Sequence, residues 1–172
     1  MFIIFMGVSG CGKTTIGKKT ADLFGVPYYE GDDYHPPENV EKMSQGFPLT
    51  DDDREGWLET LACLIQEKLD AGESGVLSCS ALKERYRDHL CVYPDLVRFI
   101  YLKGSYGLIR SRLQTRTGHY MPAGLLKSQF EALEVPENVF TVDIDQEPEK
   151  IIEAVVSYLM RIGFGNIRRV VE

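Results

Sequence analysis

Eight residues near the start of the chain, Gly7-Val8-Ser9-Gly10-Cys11-Gly12-Lys13-Thr14, have the types and spacing of a phosphate-binding loop, G-x-x-x-x-G-K-[ST], without a mismatch. The three glycines let successive backbone N–H groups curl toward one anion. Lys13 can reach the outer phosphates of a nucleoside triphosphate, and the Thr14 hydroxyl can ligate Mg²⁺. The flanks suit this chemistry. The apolar run Phe2-Ile3-Ile4-Phe5-Met6 predicts a strand leading in. A helix from about Lys13 adds free N–H groups and a positive dipole end. Gly7, Val8, Ser9, Gly10, Cys11, Gly12, Lys13, Thr14 and the adjoining Thr15 are the expected triphosphate contacts, with Thr14 the metal ligand.

Transfer of a phosphoryl group also needs an acceptor side. Glu30, Asp32 and Asp33 cluster with the turn formers Gly31, Pro36 and Pro37 at an expected strand end. A carboxylate there can orient an attacking hydroxyl and accept its proton, or hold water around Mg²⁺. Asp32 is the favoured base. In extended backbone Glu30 and Asp32 would point the same way. His35 is either a turn residue held by Pro36 or a substrate contact. Arg54 follows Asp51-Asp52-Asp53 at the front of a helix, where a cation opposes the dipole. Either those aspartates compensate it, or it is a forked clamp for a substrate carboxylate. Lys83 with Arg87, and Arg112 with Arg116, lie one helical turn apart as candidate anion sites or as surface charge. The stretch Val76-Leu77-Ser78-Cys79-Ser80 lacks the metal-holding aspartate of many phosphate-loop strands. The metal's outer shell then falls to Thr14 with Glu30 or Asp32.

The elements that must position these groups alternate along the chain. Strands are expected at 2–6, 26–29, 75–79, 96–102 and 139–144, with amphipathic helices between them and one from Pro148 to the end of the pattern near Leu159. Such alternation with short connections requires an α/β fold, a parallel sheet covered on both faces. Right-handed crossovers bring every strand's C-terminal end to one edge. The loop, the 30–35 cluster, the 78–83 turn and the segment after Leu102 should therefore share one cleft. An arginine-bearing helix, the break Gly118-His119-Tyr120-Met121-Pro122 and a second helix read as a hinged helical lid over about 112–135. The tail from Gly163 carries no clear signal.

At 172 residues the chain is expected to be a single domain with an adequate core. A net charge of −7, from 26 acids against 19 bases, excludes a nucleic-acid surface, which needs a basic face. No apolar run approaches the roughly 18 residues of a membrane span. The four cysteines show no paired spacing and read as reduced thiols of a cytoplasmic protein, with Cys11 a candidate accessible thiol.

The motifs, taken in order, strongly resemble those of gluconate kinases. They are the loop itself, Gly31-Asp32-Asp33-Tyr34-His35-Pro36, Lys42-Met43 and Pro48-Leu49-Thr50-Asp51-Asp52-Asp53-Arg54. Further along come Cys79-Ser80-Ala81-Leu82-Lys83-Glu84-Arg85-Tyr86-Arg87, Arg116-Thr117-Gly118-His119-Tyr120-Met121-Pro122, Ser128-Gln129-Phe130 with Leu133-Glu134, and Val142-Asp143-Ile144-Asp145. The resemblance implies a three-layer phosphate-loop fold with a five-stranded parallel sheet and a lid, similar to shikimate and nucleoside monophosphate kinases. It implies ATP-dependent phosphorylation of D-gluconate at the 6-hydroxyl with Mg²⁺. Lys13, Asp32 and Arg116 would then be catalytic, and Arg112 and Arg116 would contact ATP from the lid. His35, Arg54, Lys83 and Arg87 would join Asp32 at the substrate. Family members are often homodimers, which extends to this chain as a candidate assembly. Cys11 stands where serine is common, Thr14-Thr15 where Ser-Thr is usual, and Tyr120 where phenylalanine is frequent. Two other classes remain beside this one: a kinase for another small molecule such as shikimate, and a non-catalytic nucleotide-dependent switch.

Overall fold

The computed structural model describes residues 1–115 and 123–165. Its centre is β1 (Phe2–Met6), whose five side chains are all fully buried. The strand is apolar on both faces because both faces are covered. Ile3 and Phe5 enter one core, with α1 (Lys13–Phe24) and α7 (Pro148–Arg161) against it. Phe2, Ile4 and Met6 enter the other, beneath α3 (Asp51–Asp70) and α4 (Glu84–Leu90).

Four strands extend the sheet: β2 (Tyr28–Glu30), β3 (Gly75–Ser78), β4 (Val97–Lys103) and β5 (Phe140–Asp143). All pairings are parallel, in the order β2-β3-β1-β4-β5. The connection from β1 runs outward to β2, and that from β3 runs the other way to β4. A crevice therefore opens between the loop after β1 and the turn after β3. The fold is the expected three-layer α/β phosphate-loop architecture, with seven α-helices among the described residues.

Local chemistry sets the element ends. The N-terminus of α3 carries a reciprocal cap: Asp53 N–H donates to Thr50 Oγ1 at 3.2 Å, and Thr50 N–H donates to Asp53 Oδ2 at 2.6 Å. Trp57, Leu58, Leu61, Ile65 and Leu69 form its buried stripe. Gly72, at φ 73°, follows where the chain turns back. Between these elements run α2 (Pro37–Ser44), α5 (Tyr106–Thr115) and α6 (Ala123–Ala132).

Two local features depart from the sequence reading. After Glu30 the chain does not stay extended, because Gly31–Tyr34 is a 3-10 turn. The alternation that would align Glu30 with Asp32 ends there. The Trp57 indole N–H, donating to Gly31 O at 2.7 Å, ties this turn to α3. The tail, in turn, has a packing role as far as it is described. Phe164 is 1% exposed and its ring lies 5.2 Å from that of Phe24.

Gly31 is packed so closely that a Cβ there would lie 2.5 Å from Ser78 O, whereas a Cβ on Gly56, inside α3, would meet nothing within 4 Å. Gly31→Ala is therefore expected to destabilise by about 1–3 kcal/mol. Gly56→Ala should stabilise by about 0.5–1 kcal/mol through the helix backbone. Urea unfolding monitored at Trp57 measures both, and equal shifts of the two variants would contradict the packing at Gly31.

Candidate active site

The phosphate loop leaves β1 at Gly7, whose φ of 138° is open to glycine. A Cβ at Gly7 would lie 2.9 Å from both Cys11 Sγ and Leu102 O, so the conformation and the space each require glycine. Gly10 and Gly12 are also left-handed, at 83° and 97°. Cys11 is 1% exposed, so it is a packing group beneath the loop and not the accessible thiol expected from the sequence. Val8 is buried with it, and Thr15 is exposed on the first turn of α1. Lys13 Nζ donates to Gly7 O at 3.0 Å and to Val8 O at 3.1 Å, which holds the ammonium over the loop it serves.

Beside the loop, Thr14 Oγ1 donates to Glu30 Oε2 at 2.8 Å, and Tyr28 OH donates to the same oxygen at 2.6 Å. Burial and then the Glu30 hydrogen bond push the Tyr28 phenol well above its ordinary range. Glu30, not Asp32, is thus the acid coupled to the loop hydroxyl. A hydroxyl and a carboxylate are hard oxygen donors suited to Mg²⁺. Among the described residues no group of three or more His, Cys, Asp or Glu could cage a metal.

Asp32 is exposed on the 3-10 turn. The Cys79 thiol is pushed up to about 12, first by burial and also by the charges of Asp32 and Glu30, against Lys13. These three charges act on one buried thiol at the end of β3. His35 stacks on Trp57 with ring centroids 4.2 Å apart, and its Nδ1 is buried with no partner among the described residues. Burial first, then the Arg54 charge, lowers it to about 4, so the imidazole is neutral at physiological pH.

A pocket of about 260 Å³ is lined by Leu49, Thr50, Asp51, Arg54, Lys83 and Gln129 among others. Of the aspartates preceding Arg54, Asp51 and Asp53 are held by other partners. Asp51 takes both bonds of Lys83 Nζ at 2.9 Å and also meets Arg85 and Tyr86 OH. Asp53 takes Lys42 Nζ at 2.5 Å, and Lys42 with the Thr50 cap lowers its carboxyl to about 2. Arg54 donates through Nη1 to the carbonyls of Leu49 and Thr50, and no carboxylate among the described residues pairs with it. Arg54 lines the pocket, and only its Nη1 is hydrogen-bonded among the described residues.

The other cations separate. Lys83 lines the pocket with its ammonium already held by Asp51. Arg87 is 8% exposed and donates through Nη1 to Ala81 O and Leu82 O, each at 3.1 Å. It supports the turn where Ala81 takes a left-handed φ of 41°, behind the pocket and not in its wall. Arg112 donates to Ile144 O at 2.7 Å, at the end of β5. Arg116 lies outside the described residues, as does the centre of the expected lid. Gln129, which the sequence marks only within the motif Ser128-Gln129-Phe130 and without a role, is a further residue of the site. It lies 120 positions from Ser9, yet it accepts from Ser9 N–H at 2.6 Å and donates to Ser9 Oγ at 3.1 Å.

The chain is similar to known proteins over most of its length. A family model described as shikimate kinase matches residues 9–160. The chain is 46% identical over 154 residues to the thermosensitive gluconokinase of Escherichia coli (strain K12), covering 87% of this chain and 82% of that protein. It is 44% identical over 160 residues to the gluconokinase of Gluconobacter oxydans (strain 621H), covering 91% and 90%. Among solved structures, a gluconokinase from Sinorhizobium meliloti 1021 superposes with a TM-score of 0.84 at 44% identity, covering 93% of this chain and 91% of that one.

The His35 value of about 4 lies below its ordinary 6.5, so the folded protein disfavours charging it. Its contribution to stability is complete above pH 6.5 and falls away as pH drops toward 4. Ring-proton NMR of His35 should therefore be flat from pH 8 to 5. In Arg54→Ala the transition should move upward yet stay below 6.5, since burial is the larger cause. A His35 midpoint at its ordinary value in the native protein would contradict this geometry.

Proposed function

The chain belongs to the shikimate kinase family and, within it, to the gluconokinases, and from that membership we infer that it transfers the γ-phosphoryl group of ATP to the 6-hydroxyl of D-gluconate. The products are 6-phospho-D-gluconate and ADP. The observation that carries the acceptor is Arg54, a guanidinium on a small pocket without a carboxylate partner among the described residues. In an acidic protein such a group fits a small anionic substrate. The identity of 46% and 44% to gluconokinases over most of the chain supports the same acceptor.

The loop amides from Gly7 to Thr14 and the N-terminus of α1 cradle the triphosphate. Lys13 exchanges the Gly7 and Val8 carbonyls for phosphate oxygens and offsets charge as it spreads over the transferring group. Thr14 and Glu30 are the residues that would hold Mg²⁺, directly and through water. The ion would neutralise charge on the β- and γ-phosphates. Asp32 orients the 6-hydroxyl and accepts its proton as the oxygen–phosphorus bond forms and the bridging bond to ADP breaks. Arg54 grips the carboxylate at the far end of the sugar acid. Neutral His35 offers hydrogen bonds to hydroxyls without adding charge, and Lys83 keeps one N–H beyond the two held by Asp51. Arg87 acts through the Ala81–Leu82 turn. Arg112 and Arg116 are the proposed contacts from the lid side. Free thiols, including exposed Cys63, support a reducing cytoplasmic setting.

A coupled assay across gluconate, shikimate and nucleoside monophosphates tests the reading, because the family model carries the shikimate description. Turnover of gluconate alone is expected, and turnover of shikimate without gluconate would overturn the substrate. Arg54→Ala should raise the gluconate KM about 10- to 150-fold, corresponding to a charged hydrogen bond of about 1.5–3 kcal/mol, with a smaller change in kcat. Asp32→Asn should lower kcat about 10²- to 10⁴-fold with a smaller change in KM.

A further inference from the structure

Gln129 belongs to two sites at once. It lines the Arg54 pocket, and it is the side chain that clasps the phosphate loop at Ser9. A primary amide suits that task because its oxygen accepts the Ser9 N–H while its nitrogen donates to the Ser9 hydroxyl, with no charge added beside an anion site.

The rest of α6 is anchored without this clasp. Leu126 is 2% exposed, and Phe130 meets Tyr106 edge-on with centroids 5.3 Å apart. Just beyond the helix, Glu134 N–H donates to Leu82 O at 2.9 Å, and its carboxylate accepts Glu84 N–H at 2.6 Å. The loop, for its part, is held on most sides. Gly7 sits against Cys11 and Leu102, and a Cβ at Gly10 would lie 2.9 Å from Leu113 of α5. Ser9 is the third loop residue and lies between those two contacts. Gln129 is the only side chain bonded to it among the described residues.

We propose that Gln129 is a positioning residue for phosphoryl transfer: through its two bonds to Ser9 it fixes the rim of the phosphate loop that faces the acceptor pocket. The proposal rests on the kinase reading above. In-line transfer needs donor phosphorus and acceptor oxygen in near-attack contact, and a misplacement of about 1 Å can cost about 10²-fold in rate. A residue that forms the pocket wall and also grips the loop keeps the two halves in register.

The test uses the full-length enzyme at saturating ATP. Gln129→Leu keeps size and apolar packing while removing both bonds. It is expected to lower kcat about 10- to 100-fold, with the gluconate KM within about 3-fold and the melting temperature little changed. Ser9→Ala should lose less, and adding it to Gln129→Leu should cost nothing more, because both act through one clasp. Should Gln129→Leu fail to fold, Gln129→Asn carries the same expectation, since its amide stops one methylene short.

Wild-type kcat in Gln129→Leu, or losses that multiply in the double variant, would overturn the proposal. So would a raised KM at unchanged kcat, which would make Gln129 a substrate contact. If the native enzyme turns over shikimate and not gluconate, the substrate reading fails by itself. The same variants measured on shikimate then still decide the clasp.

Discussion

The whole arrangement depends on the complete burial of β1. Five consecutive apolar side chains can lie in extended backbone only if both faces are covered, and that fixes Phe2–Met6 as the middle strand. Once it is central, β3 and β4 pair on either side of it, and the chain leaving Met6 emerges in the crevice between opposed connections. The Gly7 contacts with Cys11 and Leu102 are the local form of the same constraint. At Gly7 and Gly10 the loop has no space for a side chain, and a tightly curled loop directs its amides at one point. Triphosphate binding is thus a consequence of strand burial carried one residue further.

The acceptor side is organised by charge in a protein with net −7. Such a chain binds an anion only if a few cations are kept away from its own carboxylates. The motif Thr50-Asp51-Asp52-Asp53-Arg54 does this by giving two of its three acids other duties. Asp53 closes the helix cap and holds Lys42, and Asp51 gathers Lys83, Arg85 and Tyr86. These pairs are partly exposed and individually add little stability. Their effect is positional: they fix the front of α3, and Arg54 on its next turn is left facing the pocket.

Much of this was legible in the sequence because it depends on local order. The loop motif, the Thr50 cap, the stripe from Trp57 to Leu69 and the strand–helix alternation are each written within a few residues, and the parallel sheet follows from them. What was not legible depends on contacts between distant segments. The Gln129–Ser9 clasp spans 120 positions and leaves no period or spacing to find. Arg87 has the spacing of an anion site with Lys83, but burial of its guanidinium directs Nη1 to backbone carbonyls. Phe164 looked like tail because its partner, Phe24, lies far back on α1. The strand-end acids are visible in the sequence as a cluster, but their geometry is not, because the 3-10 turn at Gly31 depends on the closeness of Ser78 and the reach of Trp57.

The missing acid of β3 has a physical account in that same geometry. Glu30 and Ser78 are directly paired across β2 and β3. Ser78 is 1% exposed, and α1 approaches so closely that a Cβ on Gly17 would lie 3.0 Å from its Oγ. An aspartate at 78 would set a second carboxylate beside Glu30 in a buried position, and both could not remain ionised there. One acid can serve the loop hydroxyl at this edge of the sheet. Placing it on β2 lets Tyr28 and Thr14 both donate to it while Ser78 contributes only a small neutral side chain. The carboxylate has moved one strand outward, and the close packing of α1 on β3 is what that move permits.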